Sequence, residues 1–220
     1  YGCGDPSRHV GAGEAVLDLG SGSGKICYIL SRRVGAESRV IGVDFNDAML
    51  ELARAHQAEV AATLGYANVS FRKGRIQDLA LDLDRVDRWL TDHPVDSVER
   101  LAELEALCER WRRDSPMIPD DSVDVIVSNC VLNLVGTEAK ARLFAEMHRV
   151  LRRGGRAVIS DIVCDEDPTR AILNDPELWS GCIAGAFRED RFLARFEDAG
   201  FHGVEILDRP ERPWRVIAGI

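Results

Sequence analysis

Four cysteines are spread along this 220-residue chain in unrelated short contexts: Cys3 in Tyr1-Gly-Cys-Gly4, Cys27 in Lys25-Ile-Cys-Tyr28, Cys130 in Ser128-Asn-Cys-Val131 and Cys182 in Trp179-Ser-Gly-Cys-Ile183. A thiol, once deprotonated, is a strong nucleophile and a ligand for soft, thiophilic centres. A glycine-rich segment, Val16-Leu-Asp-Leu-Gly-Ser-Gly-Ser-Gly24, lies among them. Together they suggest an enzyme that binds a cofactor on glycines and holds its substrate by sulfur. Taken singly, each cysteine reads as a small buried hydrophobe, the common fate of free cysteine. Only its place on a structural element can change that reading.

The glycine segment joins an apolar run to an amphipathic one through Gly20, Gly22 and Gly24 at alternate positions. Such a strand-to-helix turn lets backbone approach a ligand closely and aims helix N–H groups at it. Asp44, 24 residues after Gly20, ends the next apolar run, where a carboxylate can accept hydrogen bonds from ribose hydroxyls. A glycine turn alone is weak evidence, because any tight turn uses glycine. The strand before it, the helix after it and the distal acid together argue for a nucleoside-type ligand. The spacing Gly-x-Gly-x-Gly, rather than Gly-x-Gly-x-x-Gly, points away from dinucleotides.

Short apolar runs alternate with longer amphipathic ones, which predicts an α/β fold with a doubly wound, mostly parallel Rossmann-like sheet. Strands are expected at 15–19, 39–43, 68–72, 122–128 and 156–160, and again at 203–207 and 214–220. Helices are expected at 24–34, at 47–64 with Asn46 or Asp47 as N-cap, at 137–152 closed by Gly154-Gly155, and at 189–199. Between 79 and 119 two charged amphipathic stretches, broken near His93-Pro94 and ended by Pro116 and Pro119, read as a helical insertion. The helical period of Val98, Leu101, Leu104, Ala106 and Leu107 makes it a packed excursion without chemistry, with a lid over the site as the second reading. On this scaffold Cys27 and Cys130 face the crevice at the carboxyl edge of the sheet, where ligands bind. Cys182 falls in a segment that can close over that crevice, and Cys3 in a Gly-rich opening segment able to reach it.

The length suits one domain, with 1–12 as a cysteine-bearing N-terminal segment and 162–220 as the substrate-side and C-terminal part. A net charge of −9 argues against a nucleic-acid surface, which needs clustered Lys and Arg. No apolar run approaches a membrane span. Six cysteines without the dense spacing of a disulfide scaffold suggest reduced thiols and a cytoplasmic setting, and no pair has the CxxC spacing of a zinc knuckle. The chain opens at Tyr1 rather than methionine, so its natural start is expected upstream.

These motifs resemble class I S-adenosylmethionine methyltransferases over roughly residues 12 to 160. More narrowly, the chain is similar to the arsenite methyltransferase family in Tyr1-Gly-Cys-Gly4, Asp18-Leu-Gly-Ser-Gly-Ser-Gly24, Cys27-Tyr28, Ser128-Asn-Cys-Val-Leu-Asn-Leu134 and Trp179-Ser-Gly-Cys-Ile-Ala-Gly-Ala186. The resemblance implies S-adenosylmethionine as cofactor, with Gly20, Ser21, Gly22 and Gly24 around its methionyl part, Asp44 on the ribose and Phe45 and Met49 on the adenine. Ile76 and Gln77 would meet the adenine edge, and Asp18, Asn46 and Asn129 complete that site. Phe45 and Met49 could equally be core residues of the following helix.

The resemblance further implies trivalent arsenic as substrate, bound by Cys130 and Cys182. Cys3 and Cys27 would form a disulfide in turnover, reset by a thiol reductant such as thioredoxin or glutathione. Cys108 and Cys164 match no family cysteine and read as structural. Ile26 stands where the family pattern has aspartate, and the family's C-terminal domain is expected beyond this chain, so binding is expected to outlast efficient turnover. Two other readings stay open. One is a methyltransferase for a small organic acceptor with His56 or His148 as base; the other is a non-catalytic thiol-based arsenic binder. Asp161, Asn129 and Asn133 are at most supports of the site.

Overall fold

The computed structural model describes residues 4–208, so Cys3 and the strand expected at 214–220 lie outside the described residues. Five parallel strands form the main sheet in the order β3-β2-β1-β4-β5: β1 Val16–Leu19, β2 Val40–Asp44, β3 Val69–Lys73, β4 Val123–Asn129 and β5 Leu151–Ser160. β1 is central and buried at all four positions, as a strand covered on both faces must be. Its alternation sorts the two cores. Leu17 and Leu19 pack with Ile126, Leu143, Phe144 and Met147, while Val16 packs with Cys27, Leu30, Val40 and Leu50.

Helices cover those faces: α1 Lys25–Val34, α2 Asp47–Ala55, α3 Gln57–Leu64, the insertion helices α4 Leu83–Asp92 and α5 Val98–Asp114, and α6 Lys140–Val150. Short α7 Arg170–Leu173 and α8 Pro176–Ser180 follow, then α9 Glu189–Asp198, and a two-stranded pair joins β6 Val163–Cys164 to β7 Phe187–Arg188. Asn46 is the N-cap of α2, its side chain accepting the Met49 N–H at 3.2 Å. No helix among the described residues is long and apolar enough to cross a membrane.

Five expectations are corrected. The helix over 47–64 breaks at His56, whose N–H bonds the Ala53 carbonyl in a tighter turn. The helix over 137–152 begins as a 3-10 turn, Thr137–Ala139, and ends at Val150. Gly154-Gly155 caps no helix, because Leu151 already pairs with Val123; Gly154, at φ 83, lies where the β4–β5 register shifts. No strand forms at 203–207. In the insertion only part of the periodic set packs: Leu104 and Leu107 are half-buried, Val98, Leu101 and Ala106 are exposed, and Trp111 is the buried residue of α5, with the Arg85 guanidinium 4.3 Å from its ring centroid. Ion pairs Arg54–Asp84 and Arg112–Asp78 tie these helices to the body.

Candidate functional site

The loop from β1 to α1 runs over the carboxyl end of β2. Gly20 and Ser21 N–H both donate to the Val43 carbonyl, at 2.8 and 3.0 Å. Gly22 N–H donates to Asp44 Oδ2 and Asn46 N–H to Oδ1, both at 2.9 Å. Each carboxylate oxygen keeps a further lone pair for another donor. Gly22 sits at φ 52, and a Cβ added there would meet no atom within 4 Å. The Ser21 hydroxyl is buried without a partner. Phe45 and Met49 are 67% and 40% exposed, so they stand at the mouth of this crevice and not in the core beneath α2. An unpartnered hydroxyl, free space above a left-handed glycine, a partly used carboxylate and two exposed apolar side chains fit a nucleoside-bearing cofactor. Ile76 packs into the core and Gln77 is half-buried, so the expected adenine edge has only Gln77's side chain partly open.

Asp18 alternates away from Leu17 and Leu19 and points at α1. There the buried Cys27 thiol donates to Asp18 Oδ2 at 3.2 Å. Burial, opposed by that hydrogen bond and reinforced by Asp44, pushes the Asp18 carboxyl up to about 7. Burial and the neighbouring Asp18 raise the Cys27 thiol as well. Cys27 is therefore a protonated, free thiol beneath the glycine loop.

The second half of the site is built at the ends of β4 and β5. Cys130 follows β4 at φ 58 and Cys182 follows α8 at φ 62, both in the left-handed region that non-glycine residues avoid. The Cys182 thiol donates to the Cys130 carbonyl oxygen at 2.9 Å, and both residues line one cleft. Burial raises the Cys182 thiol to about 11. Cys130 is disulfide-bonded in this structure, whereas Cys108, Cys164 and Cys182 are free thiols. Asn129 donates to the Gly4 carbonyl at 2.8 Å, which brings the N-terminal segment to this edge. The cofactor and cysteine loops touch: a Cβ on Gly20 would strike the side chain of Val131, the residue after Cys130.

Asp161, at the end of β5, is half-buried, and burial raises its carboxyl against hydrogen bonds from the loop. Of the two histidines, His148 lines the same cleft as Cys130 and Cys182, and His56 does not. His56 lies beside Glu59 on the half-exposed helix break, and the His148 ring stands edge-on to Phe201. Sequence reasoning missed Lys140. It is buried, donates to the Gly185 carbonyl and lies 3.8 Å from the Phe187 ring centroid, and burial lowers it to about 8. Its place on the buried stripe of α6 with Leu143, Phe144 and Met147 was the available signal.

The chain resembles known proteins over most of its length. It is 35% identical over 212 residues to an arsenite methyltransferase of Halobacterium salinarum, covering 96% of this chain and 43% of that one. To an arsenite methyltransferase of Aquipseudomonas alcaligenes it is 37% identical, covering 94% of this chain and 50% of that one. The chain thus spans about half the length of these curated relatives or less. The crystal structure of an arsenic(III) S-adenosylmethionine methyltransferase from Chlamydomonas reinhardtii superposes with a TM-score of 0.67 at 32% identity, over 91% of this chain and 56% of that one. The methyltransferase-domain family matches residues 11–113 and 111–200, covering both the glycine loop and the two cysteine loops, and to that family the chain belongs.

Proposed function

We propose that this chain transfers the methyl group of S-adenosylmethionine to trivalent arsenic held by Cys182 and by Cys130, whose disulfide a thiol reductant first opens. The observation that carries the reading is the approach of the Cys182 thiol to the Cys130 backbone, on a loop packed against the glycine turn through Val131 and Gly20. The names of the relatives support it, as does the match of chemistry: soft sulfur for a soft centre.

When bound, the cofactor supplies an electrophilic methyl group on a sulfonium. The chain's part is to hold it: Gly22 leaves the space, Asp44 offers its remaining lone pairs to ribose hydroxyls, and Phe45 and Met49 cover the base. The Cys182 thiol is protonated near neutral pH. Arsenous acid accommodates that, because each thiol proton departs with an arsenic hydroxide as water while one As–S bond replaces one As–O bond. Trivalent arsenic then attacks with its own lone pair, so no general base is needed, and catalysis consists largely of alignment.

Methylation raises arsenic to the pentavalent state, and two electrons must come from thiols. The Cys3 and Cys27 thiols would supply them by closing to a disulfide as arsenic returns to the trivalent state; thioredoxin or glutathione would then reduce that disulfide, and the step requires the Cys27 thiol to leave Asp18. Such a cycle suits a reducing, cytoplasmic setting.

The test supplies arsenite, S-adenosylmethionine and a thiol reductant and measures methylated arsenic. Cys130→Ser and Cys182→Ser are each expected to lower formation at least about 100-fold. Unchanged formation in both variants would overturn the proposal in favour of buried cysteines in an organic-acceptor enzyme.

A further inference from the structure

Asn133 lies three residues after Cys130 in the 3-10 turn Leu132–Leu134 and is fully buried. Burying a primary amide is costly unless it is hydrogen-bonded, and its neighbours Leu132 and Val135 belong to an apolar core. Its Nδ2, which carries two protons, lies within hydrogen-bonding distance of three acceptors and must share one proton between two of them: Asp161 Oδ1 at 2.9 Å, the Ile162 carbonyl at 2.7 Å and, longest, the Cys182 carbonyl at 3.2 Å. Three oxygens on one side determine which end of the amide faces them, since only the NH2 end donates. Asp161 Oδ2 returns to the same turn by accepting the Leu132 N–H at 2.9 Å. The backbone carbonyl oxygen of Asn133 fills the space a Cβ would need at Gly185, while the side-chain Oδ1 is buried without a hydrogen-bond partner.

We propose that Asn133 is a positioning residue that holds Cys182 in register with Cys130 by gripping the Cys182 carbonyl. The left-handed backbone of Cys182 costs roughly 1–2 kcal/mol and persists only where its surroundings over-determine it. The bond from Asn133 is one such constraint, and it originates on the loop that carries the other thiol. Asn133 does not touch arsenic; it acts through Cys182. The inference rests on the assignment of Cys130 and Cys182 as the arsenic-binding pair.

The test reads the geometry without arsenic. Reduced protein is treated with dibromobimane, a short reagent that bridges neighbouring thiols, and the Cys130–Cys182 cross-link is quantified by peptide mapping. Asn133→Ala is expected to slow cross-linking at least about 10-fold relative to wild type while leaving S-adenosylmethionine affinity within about 2-fold. Asn133→Asp, nearly isosteric, places a carboxyl against three oxygens. It donates only when protonated, so its cross-linking rate relative to wild type is expected to fall as pH rises. The unchanged S-adenosylmethionine affinity of Asn133→Ala separates this local effect from a general loss of structure. Wild-type rates in Asn133→Ala, or a flat ratio in Asn133→Asp, would overturn the proposal. If cross-linking depends on Asn133 but reduced wild type binds no arsenite, the arsenic reading fails and the Asn133 assignment stands.

Discussion

The Cys182 thiol donates to the carbonyl oxygen of Cys130 at 2.9 Å, and both residues hold positive φ, 62° and 58°. For Cys182 this means a backbone conformation suited to glycine, occupied by a side chain that earns its place through sulfur. Cys182→Gly is therefore expected to be about 1 kcal/mol more stable than Cys182→Ala. Chemical denaturation of the two variants measures this. Equal stabilities, or alanine ahead, would remove backbone strain from the description of the site.

Gly22 combines φ 52 with open space where its Cβ would point. Gly22→Ala is expected to weaken S-adenosylmethionine binding at least 10-fold, about 1.4 kcal/mol, because the methyl group enters the volume assigned to the ligand. Isothermal titration reads the affinity directly. Undiminished affinity would move the cofactor away from the turn.

Asp18 is buried with its carboxyl raised from 3.8 to about 7. A folded-state pKa above the unfolded one means the folded state binds the extra proton between those values. Stability linked to Asp18 is therefore fully present below about 3.8, declines as pH rises towards 7, and is absent above it. Asp18→Asn is expected to remove this decline and to gain on wild type between pH 5 and 8, by at most about 4 kcal/mol. Parallel stability–pH curves for the two proteins would contradict it.

Lys140 shifts in the opposite sense, lowered to about 8 by burial. Between about 8 and 10.5 the unfolded chain binds the proton and the folded one does not, so stability rises with pH across that window. Lys140→Met is expected to abolish that rise while leaving the Gly185 carbonyl without its donor. Denaturation midpoints at pH 8 and pH 10 for both proteins measure the difference.

Much of the scaffold was legible in local pattern. The apolar runs around Val16, Val40, Val69 and Val125 became strands within one residue of their expected bounds, and Asn46 capped α2 as its type and place suggested. The glycine turn and Asp44 were legible because both are encoded by residue type at fixed spacing; the hydrogen bond from Gly22 N–H to Asp44 that joins them was not. What failed was punctuation: Gly154 signalled a turn, but pairing of Leu151 with Val123 decided that the helix had already ended. The cysteine loops were legible as loops only. The left-handed backbone at Cys130 and Cys182 and the Asn133–Asp161 bond across 28 residues arise from tertiary contacts that no local window contains.

Arsenic K-edge absorption of the reduced protein loaded with one equivalent of arsenite tests the central claim most directly, since it counts the atoms bound to arsenic. At least two sulfur neighbours in wild type, with one lost in Cys182→Ser and one in Cys130→Ser, is the expected result. An all-oxygen shell in wild type, or a sulfur count unchanged by either substitution, would contradict it.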